Sequence, residues 1–273
     1  MNKTKKSPPV FFRQMARFGC MATAVVYILL GLFALLSLLR LKEGGADEAS
    51  VLKFFEDVQL GKVVISLILL GMLAYMVWRF YEAIKDPYQY GSRGKGVTIR
   101  LLTAFSAISD GLIAWPAIES LIGMNPATKS GNPEAQRESI NSLMQHPVGV
   151  WAVVIIGSIT LVTAIVQFVY VFKEAYEERI DFHQLSPVKR TIITSVGYAG
   201  HIARGIILGI IGFFMLKAAI TQNGQFVVNT DKAFDFLGDE IGKPVFAAIA
   251  FGTICYGFFM IAMGYYYDFR KGK

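Results

Sequence analysis

The sequence predicts an all-α integral membrane protein: a six-transmembrane-helix bundle built from three parallel two-helix repeats around a pseudo-threefold axis, with short amphipathic interfacial helices in the outer connectors. Three observations predict it. Of 273 residues, 54% are hydrophobic and 17% charged, far more apolar side chain than a soluble domain of this length carries. The apolar residues gather in six runs, each long enough for a crossing of about 20 residues. The first two runs recur in register in the last two.

In chain order the runs are Phe18 to Leu39, Gly61 to Ala83, Val97 to Leu121, Val148 to Phe172, Thr191 to Leu216 and Val245 to Tyr266. The first follows a basic segment (Lys3, Lys5, Lys6, Arg13, Arg17) like that of a signal peptide. Its apolar stretch exceeds about 20 residues and no small-residue cleavage site follows, so it reads as a retained first helix. In the first outer connector Val51, Phe54, Phe55 and Val58 stand at helical spacing; in the second, Asn132 and Pro133 start a helix carrying Ile140, Leu143 and Met144. These short helices are expected along the outer membrane surface.

The repeat has a constant offset of 181 positions. Gly19, Ala22, Gly31, Phe33 and Leu35 return as Gly200, Ala203, Gly212, Phe214 and Leu216, and Gly61, Lys62, Gly71 and Tyr75 return as Gly242, Lys243, Gly252 and Tyr256. A fixed register over two helices and their connector is rarely accidental. The middle pair is more diverged, but its connector, Ile140 to Gly149, resembles Leu52 to Gly61 and Ala233 to Gly242. The chain therefore reads as one membrane domain over 1–273, with repeats at 11–90, 91–183 and 184–273. Each repeat holds an even number of crossings, so all three insert the same way up, unlike inverted-repeat transporters.

Net charge is +7, which in isolation suggests nucleic acid. Six crossings instead sort 18 of the 27 basic residues, with seven acids, onto the side of the termini, and nine, with twelve acids, onto the other. By the positive-inside rule both termini are cytoplasmic, which accounts for the basic balance without a nucleic-acid partner. Cys20 and Cys255 lie within apolar runs and behave as small hydrophobes.

The run Gly200, His201, Ile202, Ala203, Arg204, Gly205, Ile206, Ile207 and its counterpart from Arg17 through Gly19, Ala22, Val25, Val26, Tyr27 and Gly31 resemble the repeated Gly-x-x-Ala-Arg-Gly-Val-Val-Tyr pattern of a bacterial six-helix membrane family, the domain of unknown function twelve-oh-six. The resemblance spans nearly the whole chain, including His146, Pro147, Val148 and Gly149 at a connector's end. It implies the fold class and a bacterial plasma-membrane location, and supplies no reaction, substrate or catalytic residue. Thr23 and Ala24 replace the pattern's Arg and Gly in repeat one, and Asp110 stands near the position of Tyr27 in repeat two. Mitochondrial carriers also have three two-helix repeats, but their Pro-x-Asp/Glu-x-x-Lys/Arg motif is absent; Pro116 and Glu119 are wrongly spaced for it.

Polar residues inside the runs are the candidate site. At 1.5 Å per residue, Asp110 lies roughly 15 Å beyond Arg100, and Arg204 roughly 21 Å beyond Arg190, both near the midplane. An unpaired charge there costs about 2.5 to 3.5 kcal/mol, so the two are expected to face the interior, where they can pair. His201 shares the face of Arg204. The cluster reads either as an ion, proton or polar-ligand site or as a structural pair. Arg79 and Glu82 fall near the cytoplasmic interface, where snorkelling explains both, with Trp78, Tyr81, Tyr265, Tyr266 and Tyr267 as an aromatic belt. Gly205, Gly209 and Gly212 form a small-residue stripe for close helix packing. No phosphate loop, metal-spaced His/Cys cluster or nucleophile elbow is present, so no enzyme, cofactor or metal is expected. Two functions remain: a non-enzymatic interaction or lipid-organising protein, with membrane lipids and a membrane-protein partner, or a small-solute, ion or proton pathway through the bundle.

Overall fold

Long, short and long helices follow one another three times, as the repeat requires. The computed structural model describes residues 8–41, 45–56, 59, 61–122, 133–173 and 179–269, with side chains except at 56, 109–110, 112–122, 135 and 184. Among these residues the long helices are α1 (Val10–Leu38), α3 (Gly61–Lys85), α4 (Lys95–Ile122), α6 (Pro147–Phe172), α7 (Pro187–Thr221) and α9 (Lys243–Tyr266); the short ones in the connectors are α2 (Glu48–Glu56), α5 (Glu134–Met144) and α8 (Thr230–Phe236). Extended pairing among the described residues is limited to one antiparallel bridge, Ile180 with Tyr267.

Each long helix covers its predicted apolar run, α1 ending one residue short at Leu38. Proline sets the first turn of α6, α7 and α9, where its missing N–H costs nothing. The Ser186 hydroxyl accepts the Lys189 N–H to cap α7, and Gly242, at φ 119°, turns the chain into α9 through a backbone region that glycine enters freely. Five helices, α1, α3, α6, α7 and α9, are long and apolar enough to cross a membrane. The remaining long helix, α4, has 28 residues but includes Arg100, Asp110, Pro116 and Glu119.

Helix α1 packs against α3 and α9, α3 against α4, α4 against α6, α6 against α7, and α7 against α9. The sequence repeat reappears in these contacts. A Cβ on Gly19 would stand 2.7 Å from the Tyr75 Cα, and a Cβ on Gly200 would stand 2.5 Å from the Tyr256 Cα. Gly71 likewise faces the Ala22 Cβ, as Gly252 faces the Ala203 Cβ at 2.6 Å from its would-be Cβ. Lipid tails give apolar helices no hydrophobic reason to associate, so such backbone-to-backbone approach is a main source of cohesion.

The connectors interlock over one end of the bundle. The Asp47 carboxylate caps α2 by accepting the Ser50 N–H at 2.9 Å and the Ser50 hydroxyl. Asn229 caps α8 in the same way, accepting the Lys232 N–H at 3.0 Å. The two caps then bond each other, Asn229 Nδ2 donating to Asp47 Oδ2 at 2.8 Å. Beside them Thr230 Oγ1 donates to Glu48 Oε1 at 2.9 Å and the Ala46 N–H donates to Asp231 Oδ1 at 2.6 Å. Helix α5 joins through Asn141 Oδ1, which accepts the Gly224 N–H at 2.6 Å. These short helices bury Val51, Leu52 and Phe234 and so are packed onto the bundle, although Phe54 and Leu143 stay exposed.

Candidate functional site

The polar residues within the long helices gather around a small interior cavity of about 30 Å³, enough for about one or two waters. Its lining includes Arg79 from α3, Gln167 from α6, His201 and Arg204 from α7, Tyr256 from α9, and Arg179 from the segment between α6 and α7. His201 Nδ1 lies 2.6 Å from Gln167 Oε1. Arg204 Nη1 donates to the Tyr256 hydroxyl at 2.6 Å, and its guanidinium lies 5.0 Å from the Tyr256 ring centroid and 5.5 Å from that of Tyr27. Cation–π contact of this kind is strengthened by removal from water. Thus two of the three residues expected in the polar cluster, His201 and Arg204, are buried and engaged by neighbouring helices. Asp110 belongs to α4, but its side chain lies outside the described residues.

A second group of polar residues, at the end away from the connectors, departs from expectation. Arg79 and Glu82 do not snorkel: both are buried, Glu82 to 4% exposure. Glu82 accepts from Arg79 Nη1 at 3.1 Å, from Arg179 Nη1 at 3.0 Å and from the Tyr267 hydroxyl at 2.5 Å, while Trp78 Nε1 donates to that same hydroxyl at 3.1 Å. Residues 179–181 make this possible by pairing with residues 266–268. Asp181 N–H donates to Tyr266 O at 2.9 Å and Asp268 N–H donates to Arg179 O at 2.8 Å, which fixes Arg179 and Tyr267 side by side. Burial works against the charge on Arg179, but the Glu82 carboxylate beside it holds the guanidinium firmly protonated. Burial, then Glu82, pushes the Tyr267 phenol above its ordinary range, so it remains a donor.

Trp78 and Tyr267 are therefore core residues and not part of an aromatic belt; Tyr265 is 70% exposed, as a belt residue would be. The only sequence signal for the Glu82 cluster is the spacing of Arg79 and Glu82, one helical turn apart in an apolar run. Nothing local marks Arg179. The glycine stripe divides: a Cβ on Gly212 would meet the Leu161 N at 2.8 Å and one on Gly205 the Phe168 ring at 3.1 Å, but one on Gly209 would find the Ala164 Cβ at an ordinary 3.9 Å. Among the described residues no group of three or more His, Cys, Asp or Glu is arranged to hold a metal ion.

Comparison with known proteins agrees with the repeat. The family described as Domain of Unknown Function (DUF1206) matches residues 18–86, 103–174 and 199–267. The uncharacterized protein YxxB of Bacillus subtilis (strain 168) is 30% identical over 268 residues, covering 97% of this chain and 95% of that protein. No solved structure matches.

Proposed function

We propose that this chain, which belongs to the DUF1206 family, is a non-enzymatic protein of the bacterial plasma membrane that organises lipid or a membrane partner at its perimeter. In this reading α4 is the sixth crossing and the helices close into a pseudo-threefold ring with both termini cytoplasmic. The neighbour order α1, α3, α4, α6, α7, α9 and back to α1 supports the ring. The paired contacts Gly19 with Tyr75 and Gly200 with Tyr256 support equivalent repeats. Orientation follows from the excess of Lys and Arg at one end.

The single observation that carries the reading is the state of the interior. His201 and Arg204 are bonded to Gln167 and Tyr256, and Glu82 to two arginines; the cavity that His201 and Arg204 line takes only about one or two waters, and it shares Arg79, Val166 and Tyr170 with a larger opening between α4 and α6. Such a network fixes helix positions, and its charges are compensated within the protein. The second reading, a solute or proton pathway, draws on the guanidinium groups of Arg79, Arg179 and Arg204 that face that cavity. Proteoliposomes separate the two. Vesicles containing the protein should hold a proton gradient and a potassium gradient as long as empty vesicles do; specific leakage abolished by Arg204→Gln would favour the pathway.

A further inference from the structure

A larger cavity, of about 470 Å³, lies between α4 and α6 near the end away from the connectors. On α4 the lining starts at Lys95, the first residue of the helix, and passes Leu102 to reach Thr103 about 12 Å further in; on α6 it starts at Lys173, just past the helix end, and reaches Val166 about 10 Å further in. Val169 lies between. Both lysines are exposed, and neither forms an ion pair with a described residue. Arg79 contributes a buried third cation to the lining, and its Nε has no hydrogen-bond partner among the described residues.

We infer that this groove binds one anionic phospholipid, with the phosphodiester between Lys95 and Lys173 and an acyl chain lying along Leu102, Val166 and Val169. The inference rests on the proposed perimeter role and names its ligand. Charge complementarity selects the occupant. A zwitterionic lipid presents its own ammonium to the two lysines, whereas an anionic headgroup presents only acceptors, and basic pockets between helices at a membrane surface recognise such headgroups. The apolar surface of Leu102, Val166 and Val169 excludes free phosphate as a full occupant, because phosphate would leave that surface uncovered. Arg79 deepens the positive field while its Nη1 stays bonded to Glu82.

The test uses the full chain in non-ionic detergent, incubated with phosphatidylglycerol or with phosphatidylcholine of the same acyl chains, and counts retained lipid by native mass spectrometry. Phosphatidylglycerol should be held about 25-fold more tightly, about fivefold for each lysine. Lys95→Gln with Lys173→Gln should remove most of that preference, leaving the part due to Arg79, and leave the melting temperature in detergent unchanged, since both side chains are exposed. Leu102→Trp, which fills the inner half, should lower binding of both lipids with the lysines intact. Equal retention of the two lipids, an undiminished preference in the double variant, or full competition by inorganic phosphate would each overturn the proposal. Its failure is distinct from failure of the perimeter reading: tight proteoliposomes without lipid preference remove only the groove, and leaky ones with the preference intact remove only the reading.

Discussion

The two ends of the bundle handle their buried and half-buried carboxylates in opposite ways. At one end Glu82 lies between Arg79 and Arg179 and accepts a third bond from Tyr267. At the other, Asp47, Glu48 and Asp231 crowd together and are satisfied mainly by neutral donors, Ser50, Asn229, Thr230 and the Ala46 N–H. The first arrangement balances charge with charge. The second leaves acids repelling acids: burial and then Asp47 push Glu48 up to about 7, and burial pushes Asp231 up to about 6, with Asp235 and Asp47 adding to the effect and Lys232 opposing it. The lesson is that the Glu82 end behaves as a fixed bolt, while the connector end is a clasp whose strength depends on pH.

The largest effect should come from withdrawing the bolt. Glu82→Ala strands two buried guanidinium groups, and breaking a buried pair in this way costs about 3–5 kcal/mol. Unfolding in detergent, followed by circular dichroism, should show a loss of that order, with Glu82→Gln milder because its amide oxygen still accepts. Stability unchanged in Glu82→Ala would mean the cluster does not hold the bundle. A smaller loss, about 1–2 kcal/mol, should follow Asp47→Ala, which removes the α2 cap and the bond to Asn229. It should be accompanied by faster amide exchange at α2 and α8, leaving α3 and α9 protected; uniform exchange would deny that the clasp is a separate unit.

The subtlest distinction is in pH. A carboxyl whose folded pKa is raised binds its proton more tightly in the folded state, so its contribution is complete below the unfolded value, near 4.5 for Glu48 and 3.8 for Asp231, and is lost as pH rises through the folded value. The connector end should therefore loosen between about pH 4 and pH 7. The melting temperature should fall on the order of 5 °C from pH 5 to pH 8, and Glu48→Gln should flatten much of that fall. An equal fall in the variant would place the titrating group elsewhere.

The helices were legible because their signals are additive along the chain: each apolar run became a long helix, and the 181-residue register became the matched approaches of Gly19 to Tyr75 and Gly200 to Tyr256. His201 and Arg204 were legible as buried residues because charge within an apolar run has few other places to go. The Glu82 cluster was not. Counting residues along α3 gives depth but not facing, and Glu82 faces inward because Arg179 and Tyr267 arrive from segments distant in sequence. That arrival depends on the Ile180 to Tyr267 bridge, which no pattern in either segment announces. The groove between α4 and α6 was hidden for a similar reason, since a gap is a property of two helices and not of either one.

A bonded interior with room for no more than about one or two waters, and a working surface outside it, is tested most directly by thiol accessibility. In a background with Cys20→Ala and Cys255→Ala, a cysteine introduced by His201→Cys should resist a membrane-impermeant maleimide in intact cells and in inverted vesicles alike, since the site sits beside space for only about one or two waters. A cysteine introduced by Lys95→Cys supplies the reactive control, and should label in inverted vesicles only. Rapid labelling at 201 from either side would contradict the account and establish a wet path to the buried arginines.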